Sequence, residues 1–375
     1  MSTRRTLIVT NDFPPRQGGI QSFVHELAVR QPAGSVVVYA SDHEGSAAFD
    51  TAQPFPVVRH PTGLLLPTPG AAQRIAGVFG EHGCSAVWFG ASAPLGLLAP
   101  GLRTAGAQRI VASTHGHEVG WAMLPGGRQA LRRIGRHCDV ITYLGEYTRR
   151  RLAGAFGPRA CLRRLTPGVD VETFRPDLDG SVVRVRHGLS GRPVIVCVSR
   201  LVPRKGQDTL IQALPLVRRE VPDTALLLVG KGPYHDELLE LAARHGVIDH
   251  VVLTGGVPYP ELPAHYAAGD VFAMPCRTRR AGMDVEGLGI VYLEASAVGL
   301  PVLAGDSGGA PDAVLAGQTG YVVDGTSVDS VAGRLVELLQ DGDLRARMGK
   351  AGRAWVEREW RWDVLAGQLH ELLQS

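Results

Sequence analysis

The sequence predicts an α/β protein built from two doubly wound domains, each with its own parallel sheet. Short apolar segments alternate with stretches of helical periodicity along the chain, which is the pattern of strand-helix units. Loops rich in glycine and proline separate these segments. The chain has 375 residues, which is long enough for two or three domains with complete cores, by the usual domain size of roughly 100–200 residues.

The first half begins with the apolar strand Thr6–Thr10, which leads through Gly18-Gly19 into a helix over 21–29. The Gly-x-Gly-x-x-Gly dinucleotide fingerprint is absent there, so Gly18-Gly19 is either a phosphate-approach loop or a tight turn that needs glycine. The same alternation continues, and it predicts strands at 35–40, 86–89, 109–113 and 140–143 with helices near 71–82, 128–137 and 146–155.

A polar, proline-containing stretch over 166–191 predicts the domain junction. We expect one domain over 1–170, a second over 171–360, and a terminal helix at about 361–375 that packs back on the first domain. The second half again repeats strand, glycine- or proline-rich loop and helix, with strands near 193–198, 225–229, 250–254, 271–274 and 302–304.

Composition excludes several classes of protein. Hydrophobic residues are 45% and charged residues 20%, which is typical of a globular chain. Five scattered cysteines without a Cys-x-x-Cys pair indicate reduced thiols in the cytosol and no zinc site. Residues 1–170 carry 18 arginines against 10 acidic residues, a net charge of +8, and the remainder carries −5. No basic run is interleaved with aromatic residues, so we expect no nucleic-acid partner.

The segment 286–294 is the strongest candidate for a functional site. Gly287 and Gly289 lie where a polar loop enters an apolar helix, so the first amides of that helix are open to a ligand such as phosphate. Glu286 and Glu294 bracket this point, and carboxylates accept the paired hydroxyls of a sugar or a ribose. Because two glutamates at this spacing also occur by chance, the interpretation as a sugar-nucleotide site depends on the glycines and on the residues upstream.

Arg200 and Lys205 form a second candidate. They flank a loop between the strand 193–198 and a helix over about 207–219, and both are cationic donors suited to a diphosphate. Lysine is rare in this chain, occurring only at Lys205, Lys231 and Lys350, which favours a specific role for Lys205 over simple surface charge.

His115 and His117 follow directly on a predicted strand, where ligands bind in open parallel sheets. Together with Glu118 they lack the helical spacing of a His-Glu-x-x-His metal site. A contact to sugar or phosphate and a structural loop histidine are both compatible with this pattern.

A basic and partly apolar surface is predicted in the first half. Arg128, Arg132 and Arg136 share one helical face, and Leu64-Leu65-Leu66 lies between two prolines. Exposed leucines beside basic residues are typical of proteins that bind an anionic bilayer peripherally. The alternative is a solvated basic face with Leu64–Leu66 in the core.

Several of these motifs occur together and in order. They are Gly18-Gly19, the histidine after a strand, Pro167-Gly-Val-Asp170, Ser199-Arg200 with Lys205-Gly206, and Glu286-x7-Glu294. In this combination the chain resembles retaining glycosyltransferases of family four, which have the GT-B fold: two Rossmann-like domains with an interdomain cleft. Residues 114–118 and 284–289 are similar to those of the bacterial phosphatidylinositol-mannoside mannosyltransferases, which use GDP-mannose.

The resemblance implies roles for the residues that match the family pattern. Arg200 and Lys205 would hold the donor diphosphate together with the amides of Gly289, Ile290 and Val291. Glu294 would bind the ribose, Glu286 the sugar hydroxyls and Val257 the base. His115, with His117 as the second choice, would lie against the transferred sugar, and Gly18-Gly19 would approach the phosphate. No metal would be required, because the cationic side chains would stabilise the leaving diphosphate.

The resemblance also implies an activity and a location. The expected reaction is an alpha-1,6 transfer of the second mannose to a phosphatidylinositol mannoside, at the cytoplasmic face of the plasma membrane. The first domain would bind the acceptor and the second the nucleotide sugar. The alternatives are a transferase of the same fold that uses a UDP-sugar with another acceptor, and a GT-B sugar-nucleotide epimerase.

Overall fold

The structure is a computed structural model that describes residues 4–375. The chain divides into two compact units, and each is described by itself. The first unit ends at Gly168 and also includes Trp362–Ser375, while the second is Val169–Arg361. Each unit contains one sheet in which every pair of neighbouring strands is parallel, which confirms the predicted fold class of two parallel-sheet, Rossmann-like domains.

The sheet of the first unit has the strand order β3-β2-β1-β4-β5-β6-β7. Apolar residues form most of these strands, and β1, β2 and β4 are buried along their whole length, as both faces of a parallel sheet are covered. The strands are β1 Thr6–Thr10, β2 Val36–Ser41, β3 Val57–His60, β4 Ala86–Phe89, β5 Arg109–Ser113, β6 Val140–Tyr143 and β7 Leu162–Arg164.

Helices cover both faces of this sheet. The helices are α1 Gly19–Val29, α2 Ser46–Thr51, α3 Pro69–Glu81, α4 Ala99–Thr104, α5 Glu118–Met123, α6 Pro125–His137, α7 Glu146–Phe156 and α15 Trp362–Gln374. One core contains residues of α3, α4, α6 and α7, and the core on the opposite face contains residues of α1 and α15. The terminal helix α15 is therefore part of the first unit, although the whole of the second unit precedes it in the sequence.

The second unit has a sheet of order β10-β9-β8-β11-β12-β13. Its strands are β8 Val194–Val198, β9 Ala225–Val229, β10 Val251–Leu253, β11 Val271–Met274, β12 Val302–Gly305 and β13 Gly320–Val323. Its helices are α8 Ser181–Arg186, α9 Gln207–Glu220, α10 His235–Arg244, α11 Leu262–Ala267, α12 Ile290–Val298, α13 Val328–Gln340 and α14 Gly342–Glu359. They surround one continuous hydrophobic core.

The loop of three leucines is not uniformly exposed. Leu65 is fully buried, whereas Leu64 is 59% and Leu66 47% exposed. The Asn11 side chain fixes this arrangement, because its amide donates to the Leu65 carbonyl over 2.8 Å and its Oδ1 accepts from the Leu65 amide over 2.6 Å. The prediction that Leu65 belongs to a membrane-facing surface is therefore wrong, while Leu64 and Leu66 remain available.

Across the described residues, no helix combines the length and the apolar character that crossing a membrane requires.

The packing of α15 generates a stability prediction. Leu369 is fully buried in the core that α15 shares with α1, whereas Gln368 beside it is exposed. We expect Leu369→Ala to lower the free energy of unfolding by about 2–5 kcal/mol, because it removes buried methyl groups and leaves a cavity. Urea unfolding of both variants measures this, with Gln368→Ala as the control. Equal stability of the two variants would contradict the role of α15 in the core.

Candidate functional site

The N-terminus of α12 has the backbone geometry that a ligand-binding loop requires. Gly289 precedes the helix with φ of 82°, a conformation that other residues rarely adopt. A Cβ atom at this position would also lie 2.5 Å from the ring of Tyr292. No side chain caps the helix, so its first amides, including those of Ile290 and Val291, are not used by a cap.

Glu286 lies beside this helix terminus and is held by two cations. Its Oε2 atom is 2.6 Å from Lys205 Nζ and 2.9 Å from Arg204 Nη1. Arg204 also contacts Asp284, with Nε 3.2 Å from Oδ1. Lys205 and Glu286 are both largely buried, so water screens this ion pair only weakly. The structure therefore joins the candidate residues of two separate loops into one charged cluster.

Sequence reasoning missed Arg204 in this cluster. The available signal was its position directly before Lys205 in the loop that follows β8. The same loop has a close backbone contact to the loop after β11, since a Cβ atom on Gly206 would lie 2.1 Å from the Pro275 carbonyl oxygen. Gly206 has φ of 80°, so glycine is required there for both conformation and space.

Arg200 and Val257 line one cavity of about 700 Å³ in the second unit. Arg200 is exposed and Val257 is half-buried. The walls are largely apolar, and the remaining lining residues are Val198, Ser199, Val229, Gly230, Lys231, Gly232, Gly256 and Leu262. An apolar cavity with cationic side chains on its lining has the composition expected of a binding site for a nucleotide base joined to a phosphate group.

Lys231 is a further residue of this cavity that sequence reasoning did not assign to a site. Its side chain passes close to Gly256, where a Cβ atom would lie 3.2 Å from Lys231 Cδ. The signal in the sequence was its rarity, because Lys231 is one of only three lysines in the chain.

Glu294 lies within α12, separate from the cations around Glu286. Its Oε2 atom accepts a hydrogen bond of 2.6 Å from the hydroxyl of Tyr266 on α11. Burial raises the pKa of Glu294 to about 7, and the hydrogen bond from Tyr266 acts in the opposite direction. The two glutamates of the Glu286-x7-Glu294 pattern therefore have different electrostatic surroundings.

In the first unit, Gly18 and Gly19 stand at the start of α1, close to the end of β1. A Cβ atom on Gly18 would lie 2.1 Å from the side-chain oxygen of Gln21. Gln21 is buried and is held in place by a hydrogen bond of 2.8 Å from its amide nitrogen to Asp12 Oδ1. The absence of a side chain at Gly18 therefore leaves room for Gln21.

His115 follows β5 at the edge of the sheet where strands end. Its Nε2 donates to the carbonyl oxygen of Gly90 over 2.6 Å, and its ring meets the edge of Phe23 at a centroid distance of 4.9 Å. Burial lowers the pKa of His115 below its ordinary value. A neutral ring that donates from Nε2 leaves Nδ1 as an acceptor, for example for a sugar hydroxyl.

His117 has a different environment from His115. It is exposed, and its Nε2 lies 3.4 Å from Oε1 of Glu118. Glu118 is fully buried and its Oε2 accepts hydrogen bonds from the amides of His115 and Gly116, so it shapes the loop. Of the two histidines, His115 is the one that the structure fixes in a defined orientation.

The basic face of α6 is exposed at Arg128, Arg132 and Arg136. Arg132 and Arg136 line a cavity of about 580 Å³ together with Arg159. At the start of α6, Met123 is 57% and Leu124 64% exposed.

Among residues 4–375, no group of three or more His, Cys, Asp or Glu side chains is placed to hold a metal ion.

Comparison with known proteins identifies the family. Residues 17–173 match the model described as "Glycosyltransferase Family 4", and residues 183–355 match "Glycosyl transferases group 1". A GDP-mannose-dependent alpha-(1-6)-phosphatidylinositol monomannoside mannosyltransferase of Mycobacterium tuberculosis is 57% identical over 99% of this chain and 98% of its own. An enzyme of Corynebacterium glutamicum that acts on the monoacylated lipid is 50% identical over 100% of this chain and 99% of its own.

Solved structures show the same fold at lower identity. Anabaena Alr3699/HepE in complex with UDP has a TM-score of 0.80 at 19% identity, covering 98% of this chain and 99% of its own. A glycosyltransferase of Rickettsia africae has a TM-score of 0.80 at 15% identity, with coverage of 99% and 98%. Both family models match in sequence order, and the Mycobacterium tuberculosis relative is 57% identical along nearly the whole of both chains. The predicted resemblance is therefore confirmed, and the chain belongs to the group 1, family 4 glycosyltransferases.

Proposed function

We propose that this protein is a hexosyltransferase that moves mannose from GDP-mannose to a phosphatidylinositol monomannoside, forming an alpha-1,6 linkage. The observation that carries the proposal is the 57% identity to the Mycobacterium tuberculosis enzyme of that name along almost the whole of both chains. The relative from Corynebacterium glutamicum supports the same donor and the same class of lipid acceptor. The reduced state of the cysteines fits a reaction at the cytoplasmic face of the membrane.

The second unit would bind the donor. Arg200 and Lys205 would contact the diphosphate, and the amides at Gly289, Ile290 and Val291 would donate to it from the start of α12. Val257 would line the base site, which fits its place in the apolar cavity beside Arg200. Glu294 would accept hydrogen bonds from the ribose hydroxyls, and Glu286 would accept them from the hydroxyls of the mannose.

The charged cluster around Glu286 supports a specific course for the reaction. When the bond between mannose and phosphate breaks, negative charge develops on the diphosphate. Lys205 is buried, Arg204 is partly exposed, and Glu286 orients both, so they would stabilise that charge with little reorganisation. We propose that the leaving phosphate takes the proton of the acceptor hydroxyl on the same face of the sugar, which retains the anomeric configuration.

The first unit would supply the remaining contacts. His115 would accept a hydrogen bond at Nδ1 from a hydroxyl of the transferred mannose, because its Nε2 already donates to the carbonyl oxygen of Gly90. Gly18-Gly19 would approach the phosphate through their backbone. These roles rest on the family pattern and on the fixed orientation of the His115 ring.

We also propose that the first unit binds an anionic membrane surface. Leu64 and Leu66 follow the carboxyl end of β3, and Met123 and Leu124 lie beyond that of β5, so these exposed residues share one edge of the parallel sheet. The basic face of α6 begins next to Leu124 and continues to the cavity lined by Arg132, Arg136 and Arg159. Apolar tips beside cationic side chains are the chemistry that a phospholipid surface recognises.

A transfer assay tests the proposed function directly. Purified protein is incubated with labelled GDP-mannose and phosphatidylinositol monomannoside in vesicles, with UDP-glucose and UDP-N-acetylglucosamine in parallel. We expect label in the lipid fraction from GDP-mannose alone. Lipid label from a UDP-sugar would overturn the donor, and consumption of donor without lipid label would favour an epimerase or a soluble acceptor.

Lys205→Ala tests the diphosphate assignment. We expect a fall in kcat of about 10²–10³-fold, the usual effect of removing one group that stabilises transition-state charge. The fold should persist, because Arg204 still pairs with Glu286. Lys350→Ala is the matched control, since Lys350 is an exposed lysine on α14. If kcat of the Lys205 variant equals that of the control, Lys205 does not act on the diphosphate.

Vesicle sedimentation tests the membrane surface. We expect replacement of Leu64 and Leu66 by serine to reduce binding to phosphatidylinositol-containing vesicles about 10-fold or more, because two exposed apolar side chains no longer insert. The control makes the same replacement at Val182 and Val185, two residues of α8 whose side chains are 60% and 71% exposed. Equal loss in both double variants, or no loss in either, would contradict this surface.

A further inference from the structure

Tyr266 and Glu294 form a pair that the family pattern does not include. Tyr266 lies on α11 and is fully buried, and its hydroxyl donates to Glu294 Oε2 over 2.6 Å. Within residues 4–375 this phenol is the one side chain that bonds the Glu294 carboxylate. A distance this short is typical of a hydrogen bond to an ionised oxygen.

The position of the Tyr266 hydroxyl is fixed by the rings around it. Phe272 on β11 stacks on Tyr266 at a centroid distance of 5.7 Å, and Phe174 meets it edge-on at 5.6 Å. Aromatic contacts on two sides of a buried ring prevent it from tilting. The hydroxyl therefore holds Glu294 Oε2 at one point, while no side chain in the described part of the chain is hydrogen-bonded to Oε1.

The groups around this pair leave the carboxylate without a compensating charge. Desolvation is the main influence on the pKa of Glu294, and within the described residues Tyr266 is the side chain that bonds its carboxylate. Tyr259 and Cys197 act electrostatically on Tyr266. Among nearby charged or titratable side chains, Arg353 of α14 bonds backbone carbonyls, including that of Ala297. His265 of α11 bonds the carbonyl oxygen of Glu261.

We propose that Tyr266 is a positioning residue for donor binding: its hydroxyl holds one oxygen of Glu294 so that the other accepts the ribose hydroxyls. This inference rests on the proposed function, in which Glu294 binds the ribose. Tyr266 does not touch the donor in this scheme and acts only through Glu294. The inference deepens the donor site by adding a residue from α11 to it.

The electrostatics of the pair add a pH dependence. Glu294, with a pKa of about 7, is the better acceptor of hydroxyls when ionised, so donor affinity should rise as pH rises through about 7 and fall below it. The Tyr266 hydrogen bond stabilises the ionised form. Removing it therefore raises the pKa of Glu294 further and moves the affinity curve to higher pH.

Tyr266→Phe is the decisive variant, because it removes one oxygen and keeps the ring. We expect the KM for donor at pH 7 to rise roughly 10-fold, which matches a lost hydrogen bond to a charged group. We expect kcat to stay within about twofold, since no interaction unique to the transition state is removed. Between pH 6 and 8.5, the midpoint of log(1/KM) should move up by about one unit, with affinity recovering at the alkaline end.

Two further variants complete the experiment. Glu294→Gln should abolish the titration near pH 7, and adding Tyr266→Phe to it should have little further effect on KM. Tyr321→Phe is the matched control, because the Tyr321 hydroxyl donates to Glu337 over the same 2.6 Å, on β13 and α13. Its pH curve should coincide with that of the wild type. Thermal unfolding of each variant checks the fold, and recovery at high pH is a result that a misfolded protein would not give.

The outcomes separate this inference from the proposed function. A Tyr266→Phe curve that overlays the wild-type curve, or a loss that is equal at every pH, would overturn the positioning role. If the wild type does not use GDP-mannose, the donor assignment fails by itself. The same titration then uses the UDP-sugar that the transfer assay identifies, since every nucleotide sugar tested carries the same ribose.

Discussion

Parallel pairing of short buried strands is the constraint on which the candidate site depends. In the second unit, β8 lies between β9 and β11, so two strands far apart in the sequence become neighbours. Because both run in the same direction, the loops after their carboxyl ends meet at one edge of the sheet. The Arg277 amide donates to the Arg204 carbonyl over 2.8 Å, which joins the two loops through the backbone. Lys205 and Glu286 become partners as a consequence of this topology.

Charge pairing then fixes the cations of the candidate site. Glu286 neutralises part of the charge of Lys205 and Arg204 and keeps them from reaching out into solvent. An ion pair between Arg277 and Asp208 anchors the base of the same loop. Such partly buried pairs contribute little net stability, since desolvation offsets their attraction. Their effect is to hold the cations in one geometry.

The sequence contained enough information for the fold and for part of the site. Buried strands appear in the sequence as uninterrupted apolar runs. Gly289 can be identified as the start of a helix with free amides, because a glycine is typical where a loop enters such a helix. Leu65 was not predictable, since Leu64-Leu65-Leu66 is one uniform run in sequence and only the bonds to Asn11 turn the central residue inward. Side-chain orientation of this kind depends on distant partners that local pattern does not encode.

The partners of the site residues were unpredictable for the same reason. Arg204 and Lys205 are adjacent cations in the sequence, and only the tertiary contact with Glu286 shows that both act on one carboxylate. Between Tyr266 on α11 and Glu294 on α12 the chain passes through β11 and a long loop, and nothing in the spacing connects the two residues.

The two glutamates of the family pattern illustrate how one residue type serves two chemistries. Glu286 lies among cations, so its charge is balanced locally. Glu294 lies among aromatic rings with a neutral phenol as its partner, and its carboxylate is accordingly harder to ionise. A carboxylate paired with a phenol accepts hydrogen bonds from a neutral diol, whereas its own negative charge repels a phosphate. The same residue type therefore has a charge-balanced form in the loop before α12 and a form paired with a phenol within the helix, which fits the proposed division between sugar binding and ribose binding.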